Sequence, residues 1–158
     1  MIVSFTGHRP NKLSGYKLPN PTYIHVCQQL DRVLREVKPD KAISGGALGI
    51  DQYAANICFK MGIPVIFAIP FLGQEKAWPE ASQKTYHKLL DKADEVVIVC
   101  EGGYAAYKMQ VRNEWMVNHC DVLVAVFIPT ETNGGTYNAI QYAKSVGKEI
   151  IFIDPAIK

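Results

Sequence analysis

Three short glycine-bearing segments of this chain have the composition of anion-binding turns, and each comes soon after an apolar run. Thr6-Gly7-His8-Arg9 follows Ile2-Val3-Ser4-Phe5, and Ser44-Gly45-Gly46-Ala47-Leu48-Gly49-Ile50-Asp51 follows Lys41-Ala42-Ile43. Asn133-Gly134-Gly135-Thr136 comes shortly after Val122-Leu123-Val124-Ala125-Val126-Phe127-Ile128. Adjacent glycines let the backbone turn sharply and present amide N–H groups with no Cβ in the way. A helix beginning there adds unpaired N–H groups and the positive end of its dipole. Arg9 supplies a permanent cation whose planar fork matches phosphate oxygens. His8, between Gly7 and Arg9, reads equally well as a ligand contact or as a loop hydrogen bond. The chemistry expected is capture of an anion, with the phosphate of a nucleotide as the leading candidate.

The details of each segment narrow that chemistry. Ser44 to Asp51 is not a Walker A motif, because no Lys-Ser/Thr follows, and it is not the dinucleotide fingerprint Gly-x-Gly-x-x-Gly. It reads as a phosphate or ribose contact. The plainer reading is a tight strand-to-helix turn in which Gly49 admits close packing and Asp51 favours the helix start. Thr136 can cap the last helix or reach a phosphate, with Asn138 in the same first turn. Arg112-Asn113 falls inside a helix, where Asn is a poor former, and that hints at a contact; Arg112 could equally be solvated. Gln74 and Trp78 could line a base pocket or form a surface loop with the indole covering the core. His25, His87 and His119 have no spacing that suggests a metal, and no His/Cys/Asp/Glu cluster supports zinc or iron. Neither metal nor cofactor is expected.

Positioning these residues requires strands and helices in alternation, and the pattern supplies them. Strands are expected at 2–6, 41–44, 64–69, 95–100, 121–128 and 149–153. Helices are expected at 22–37, 50–61, 80–92, 105–119 and 136–146, with Thr22 as a candidate first cap and Gly62 and Gly147 as natural terminators. Short continuous Val/Ile runs suit strands buried on both faces. Strands joined by helices of this length make right-handed βαβ units. The expected fold is α/β: a single three-layer Rossmann-like domain over 1–158, with a mostly parallel sheet and helices on both faces. In such a sheet the loops after the strands share one edge, where ligands bind.

Bulk properties exclude several classes. The 158 residues are 48% hydrophobic and 20% charged, the size and balance of one globular domain rather than a disordered chain. A net charge of +2 and the lack of any Lys/Arg run argue against non-specific nucleic-acid binding. The four cysteines, Cys27, Cys58, Cys100 and Cys120, are widely spaced and read as reduced thiols of a cytoplasmic protein. No signal peptide or membrane span is expected. The apolar helix at 105–119 could be core or the interface of a homo-oligomer.

Taken together, five stretches resemble the SLOG superfamily and, within it, the YspA/YpsA-like branch. They are Thr6-Gly7-His8-Arg9-Pro10, Ser44 to Asp51, Ala68-Ile69-Pro70-Phe71 with Gln74 and Trp78, Arg112-Asn113-Glu114-Trp115-Met116, and Gly134-Gly135-Thr136-Tyr137-Asn138. The resemblance implies a nucleotide-type pocket at the strand ends. Ser44 to Asp51 with Arg112-Asn113 also looks like stretches of the DNA-processing protein A family, which binds single-stranded DNA. The Gly-Gly-Thr turn looks like that of the Lonely Guy phosphoribohydrolases, which carry a catalytic Glu three residues after the Thr; here that position is Ala139.

Three functions follow as expectations: a module that binds a nucleotide or nucleotide-derived small molecule; a nucleoside-monophosphate N-glycosidase, with Asp51, Glu101 or Glu114 as replacement catalytic carboxylate; and single-stranded DNA binding, against which the small net charge counts.

Overall fold

The computed structural model describes residues 1–157. Six strands form one all-parallel sheet: β1 (Ile2–Gly7), β2 (Lys41–Ser44), β3 (Val65–Ile69), β4 (Glu95–Ile98), β5 (Val122–Val126) and β6 (Glu149–Ile153). Five α-helices connect them: α1 (Pro21–Val37), α2 (Ile50–Lys60), α3 (Glu80–Asp91), α4 (Tyr107–Asn118) and α5 (Gly135–Ser145). The strand order is β4-β3-β2-β1-β5-β6. The chain thus winds outward from β1 in one direction, then returns to place β5 on the other side of β1.

Alternating side chains of each strand serve the two helical layers. Val3, Phe5, Phe67, Val122 and Val124 join Leu30, Leu34, Ile50, Ala54 and Tyr86, from α1, α2 and α3, in one core cluster. On the opposite face Ile43 and Ala68 meet Met116 of α4, while Leu123 meets Val117 of α4 and Ala143 of α5. Val26, Leu30, Val33 and Leu34 are the buried stripe of α1. Fully burying each such side chain is worth roughly 1.5–3 kcal/mol. The interior strand β5, between β1 and β6, is buried along its whole length, as its unbroken Val-Leu-Val-Ala-Val run requires.

Local signals end the helices as expected at Gly62 and Gly147, both at positive φ. One expected cap is replaced. Asn20, not Thr22, caps α1: its side-chain oxygen accepts the Tyr23 N–H at 2.9 Å, and Pro21 takes the first helical position, where no N–H is needed. The Thr22 hydroxyl pairs instead with that of Ser14 at 2.7 Å. Gly134 precedes α5 without any side-chain cap, and Thr136 lies within its first turn. A short 3-10 turn, Pro10–Lys12, follows β1. All four cysteines are free thiols. No helix among the described residues is long and apolar enough to cross a membrane.

Candidate functional site

A cavity of about 270 Å³ opens where the carboxyl ends of β1 and β5 lie side by side. These strands are neighbours, but the chain leaves them in opposite directions, so their loops diverge and leave a crevice. Four segments wall it. The β1 loop contributes Thr6, Gly7, His8, Arg9, Asn11 and Lys12. Ala47 and Asp51 come from the turn into α2, and Met109, Arg112 and Asn113 from α4. The start of α5 gives Asn133, Gly134, Gly135 and Thr136.

The two glycine-rich turns differ in what their amides do. In the turn before α2, the Gly46 N–H donates to Ser44 Oγ at 3.2 Å and the Ala47 N–H to Asp51 Oδ2 at 3.3 Å. Ile50 N–H donates to the His8 carbonyl at 3.5 Å. The carbonyls are held as well: Gly45 O accepts from Arg112 Nη1 at 2.7 Å and from Gln74 Nε2 at 3.1 Å, and Gly46 O from Gln52 Nε2 at 3.1 Å. Three amides and two carbonyls of this turn are thus held by the protein itself. At α5 the first intrahelical bond runs from Asn138 N–H to Gly134 O, which leaves the N–H groups of Gly135, Thr136 and Tyr137 outside the helical ladder. A Cβ built on Gly134 or Gly135 would meet no atom within 4 Å. The Thr136 hydroxyl makes no hydrogen bond among the described residues.

Arg9 is exposed at this wall, and its guanidinium has no protein partner among the described residues. Lys12 bridges to Glu131 at 3.3 Å, tying the β1 loop to the loop after β5. A second tie runs from the Ile128 N–H to His8 Nε2 at 3.0 Å, with the imidazole stacked on Phe127. Burial pushes the His8 pKa below its ordinary value, the Lys12 cation pushes the same way, and Glu131 opposes them.

Asp51 is the one carboxylate among the wall residues. Its enclosure pushes the carboxyl up from the usual range, against the pull of Arg112, Arg9 and the Ala47 N–H. Arg112 is 3% exposed, and burial lowers its affinity for its proton while Asp51 restores it. Both groups pack on Gly45, where a Cβ would stand 2.6 Å from Arg112 Nη1 and 2.7 Å from Asp51 Oδ2.

Of the residues expected at a ligand, Thr6, Gly7, His8, Arg9, Ala47, Asp51, Arg112, Asn113, Gly134, Gly135 and Thr136 line this one cavity. Ser44, Gly45, Gly46 and Gly49 do not; they shape the wall from behind. Ser44 Oγ donates to Asp51 O at 2.8 Å, and Gly49, at φ 94°, would bring a Cβ to 2.5 Å from the His8 carbonyl. Gln74 is buried on Gly45 O and the Tyr86 hydroxyl, and Trp78 packs edge-on against Tyr86, so neither reaches the cavity. Asn138 and Glu101 are exposed elsewhere, and Lys108 donates to the Glu101 carbonyl. Sequence reasoning missed Asn11, Lys12 and Met109. Met109 stands three and four residues before Arg112 and Asn113, a helical spacing that could have found it. Asn11 and Lys12 sit in a Pro-initiated turn that carries no periodic signal.

A family model matches residues 3–156, nearly the whole chain. The chain belongs to the YspA SLOG family. Among its relatives is an uncharacterized SPbeta prophage-derived protein of Bacillus subtilis, YoqJ: it is 35% identical over 148 residues, covering 80% of this chain and 85% of that protein. DNA processing protein A has a similar fold. The Streptococcus pneumoniae structure gives a TM-score of 0.71 at 18% identity, over 98% of this chain and 50% of that one. The Helicobacter pylori structure, which describes a single-stranded DNA binding mode, gives 0.67 at 19%, over 96% and 64%. This YspA SLOG chain thus spans about half to two thirds of those proteins. The molybdenum cofactor carrier protein of Chlamydomonas reinhardtii gives 0.59 at 14% identity, over 96% of this chain and 74% of that one. At these identities the structures establish the fold.

Proposed function

We propose that the protein binds a phosphorylated nucleotide or nucleotide-derived small molecule in the crevice between β1 and β5, as a sensor or sequestering module. The observation that carries this is the α5 wall. Free amides of Gly135 and Thr136, an unpartnered Thr136 hydroxyl and the unpaired Arg9 cation surround empty space that a side chain would otherwise fill. Across the cavity, Asp51 and Asn113 offer acceptors and donors for sugar hydroxyls or a base edge. A volume of about 270 Å³ sits just below the usual range for small-molecule sites, which favours one phosphate and a sugar over a dinucleotide. Binding of a molybdenum cofactor by a protein of similar fold is consistent with a carrier or sensor role. Mass spectrometry of the small molecules released from purified, denatured protein tests the reading, followed by calorimetry with what is found. A nucleotide at near-equal molar ratio is expected. No nucleotide released, and no heat from a panel of nucleoside mono- and diphosphates, would remove the proposal.

A second reading rests on Asp51. A carboxyl held toward its neutral form beside a sugar-sized cavity suits proton donation to a departing base. In such a hydrolysis the C1′–N bond breaks, water oxygen takes C1′, and the net proton goes to the base. Glu101 and Glu114 are not among the residues that wall the cavity, so this reading uses Asp51. Free base released from nucleoside monophosphates and abolished by Asp51→Asn would favour catalysis; binding without release would favour the module. Single-stranded DNA binding draws only on the fold shared with DNA processing protein A, and a compact crevice is not a groove that follows several phosphates.

A further inference from the structure

We infer that His8 is a δ-protonated, neutral hydrogen-bond donor aimed at the bound anion, so that one ring nitrogen locks the loop after β5 while the other serves the ligand. The inference rests on the anion-binding reading of the cavity but reaches a residue role that this reading leaves open. A backbone amide can only donate, and the Ile128 N–H points at His8 Nε2 across 3.0 Å. Nε2 is therefore unprotonated, and the proton of the neutral ring sits on Nδ1. That Nδ1–H has no hydrogen-bond partner among the described residues. The side chain is nevertheless 5% exposed, and His8 is one of the cavity walls. Nδ1 is not fully enclosed by protein, and on the cavity that His8 lines together with Gly135 and Thr136 it is open to an acceptor from outside the chain, solvent or a bound anion.

The surroundings hold the ring in that state. Phe127 stacks on it at 5.8 Å with planes 25° apart, which fixes its orientation. Lys12 in the 3-10 turn disfavours a second positive charge, and only Glu131, itself paired with Lys12, opposes that. An imidazolium would also turn Nε2 into a donor facing the Ile128 N–H. The cation for the anion is then Arg9, and His8 contributes direction without charge. A cationic histidine would make phosphate binding fade as pH rises from 6 to 8. A neutral donor predicts that binding holds or strengthens over that interval, because a phosphate monoester gains its second charge near pH 6 and inorganic phosphate gains its own within the same interval.

The experiment uses the full chain labelled with ¹⁵N and inorganic phosphate as probe. Long-range imidazole spectra at pH 7.5 should show His8 protonated on Nδ1 alone, and that nitrogen should shift as phosphate is added. His8→Gln places a side-chain oxygen where Nε2 accepts but has nothing at Nδ1. It should keep the melting temperature close to the parent's and weaken phosphate binding by roughly ten-fold or more, the loss of one hydrogen bond to a charged group. An ε-protonated or doubly protonated ring at pH 7.5 would overturn the inference without any use of the variant. Phosphate shifts at the Gly135 and Thr136 amides, with His8 Nδ1 unmoved and His8→Gln binding as the parent does, would overturn the His8 role alone. No phosphate shift at those amides would overturn the anion site and this role with it.

Discussion

Ile50, the first residue of α2, packs directly on Gly7, the last residue of β1: a Cβ built on Gly7 would stand 2.3 Å from Ile50 Cγ1 and 2.4 Å from Ile50 Cβ. The carboxyl end of β1 can approach the start of α2 only because position 7 has no side chain. Gly7→Ala should therefore destabilise by about 1–3 kcal/mol or more through overpacking. Ile50→Ala should not rescue it, since the Ile50 Cβ is itself inside contact distance. Urea unfolding of the single and double variants measures both. A double variant as stable as Ile50→Ala alone would show that the contact is not limiting.

Gly135 behaves oppositely, since nothing in the protein occupies the space its side chain would take. Gly135→Asp should fold with unchanged or slightly raised stability, because a carboxylate in the first turn of α5 gains about 0.3–1 kcal/mol from the helix dipole. Anion affinity should collapse, since that carboxylate sits where the ligand's charge would. Thermal melts and calorimetry separate the two effects. Normal ligand binding by Gly135→Asp would reduce the turn to a helix entry.

Arg112 ties α4 to the loop after β2 and to β3, bonding Gly45 O at 2.7 Å and Ala68 O at 3.2 Å. Arg112→Met preserves most of the stem but removes these charged donors, and should cost about 2 kcal/mol. The accompanying release of Gly45 should also lower ligand affinity, because Asp51 packs on the same glycine. Equal chemical denaturation midpoints for variant and wild type would contradict this.

Acid should loosen the cavity before it unfolds the sheet. The His8 pKa is held below its ordinary value of 6.5, chiefly by burial, so the unfolded chain takes up this proton more readily than the folded one. The contribution of neutral His8 is then fully present above pH 6.5 and is lost as pH falls through that value toward the folded pKa. Stability measured from pH 7.5 to 5 should decline more steeply in the parent than in His8→Gln, which has no proton to take up there. Parallel curves would show that His8 does not report on this interval.

Much of the architecture is legible in the amino-acid sequence. Strands buried on both faces write themselves as unbroken Val/Ile runs, as β5 does, and Gly62 and Gly147 mark helix ends through their left-handed backbone. The shared edge followed from the alternation of strand and helix alone. What stayed hidden was which glycine turn is open. The Gly45 carbonyl accepts from Gln74 and Arg112, whose destinations depend on packing far along the chain. The same distance hid the fate of Trp78, which turns toward Tyr86. Local cap choice was misjudged at Thr22 because Asn20-Pro21 offered a stronger start two residues earlier.

The order in which strands join the sheet sets when the proposed site can first form. β1 and β5 are hydrogen-bonded neighbours, yet His8 and the Ile128 amide it accepts from are 120 residues apart in the chain. A nascent polypeptide could pair β1 with β2 and β3 early, but its recognition surface waits for β5 and the start of α5 to arrive. Loop closure of that span is slow compared with the local steps. A ligand of this site present during synthesis would therefore act only once β5 and the start of α5 have emerged, drawing that docking event forward by mass action.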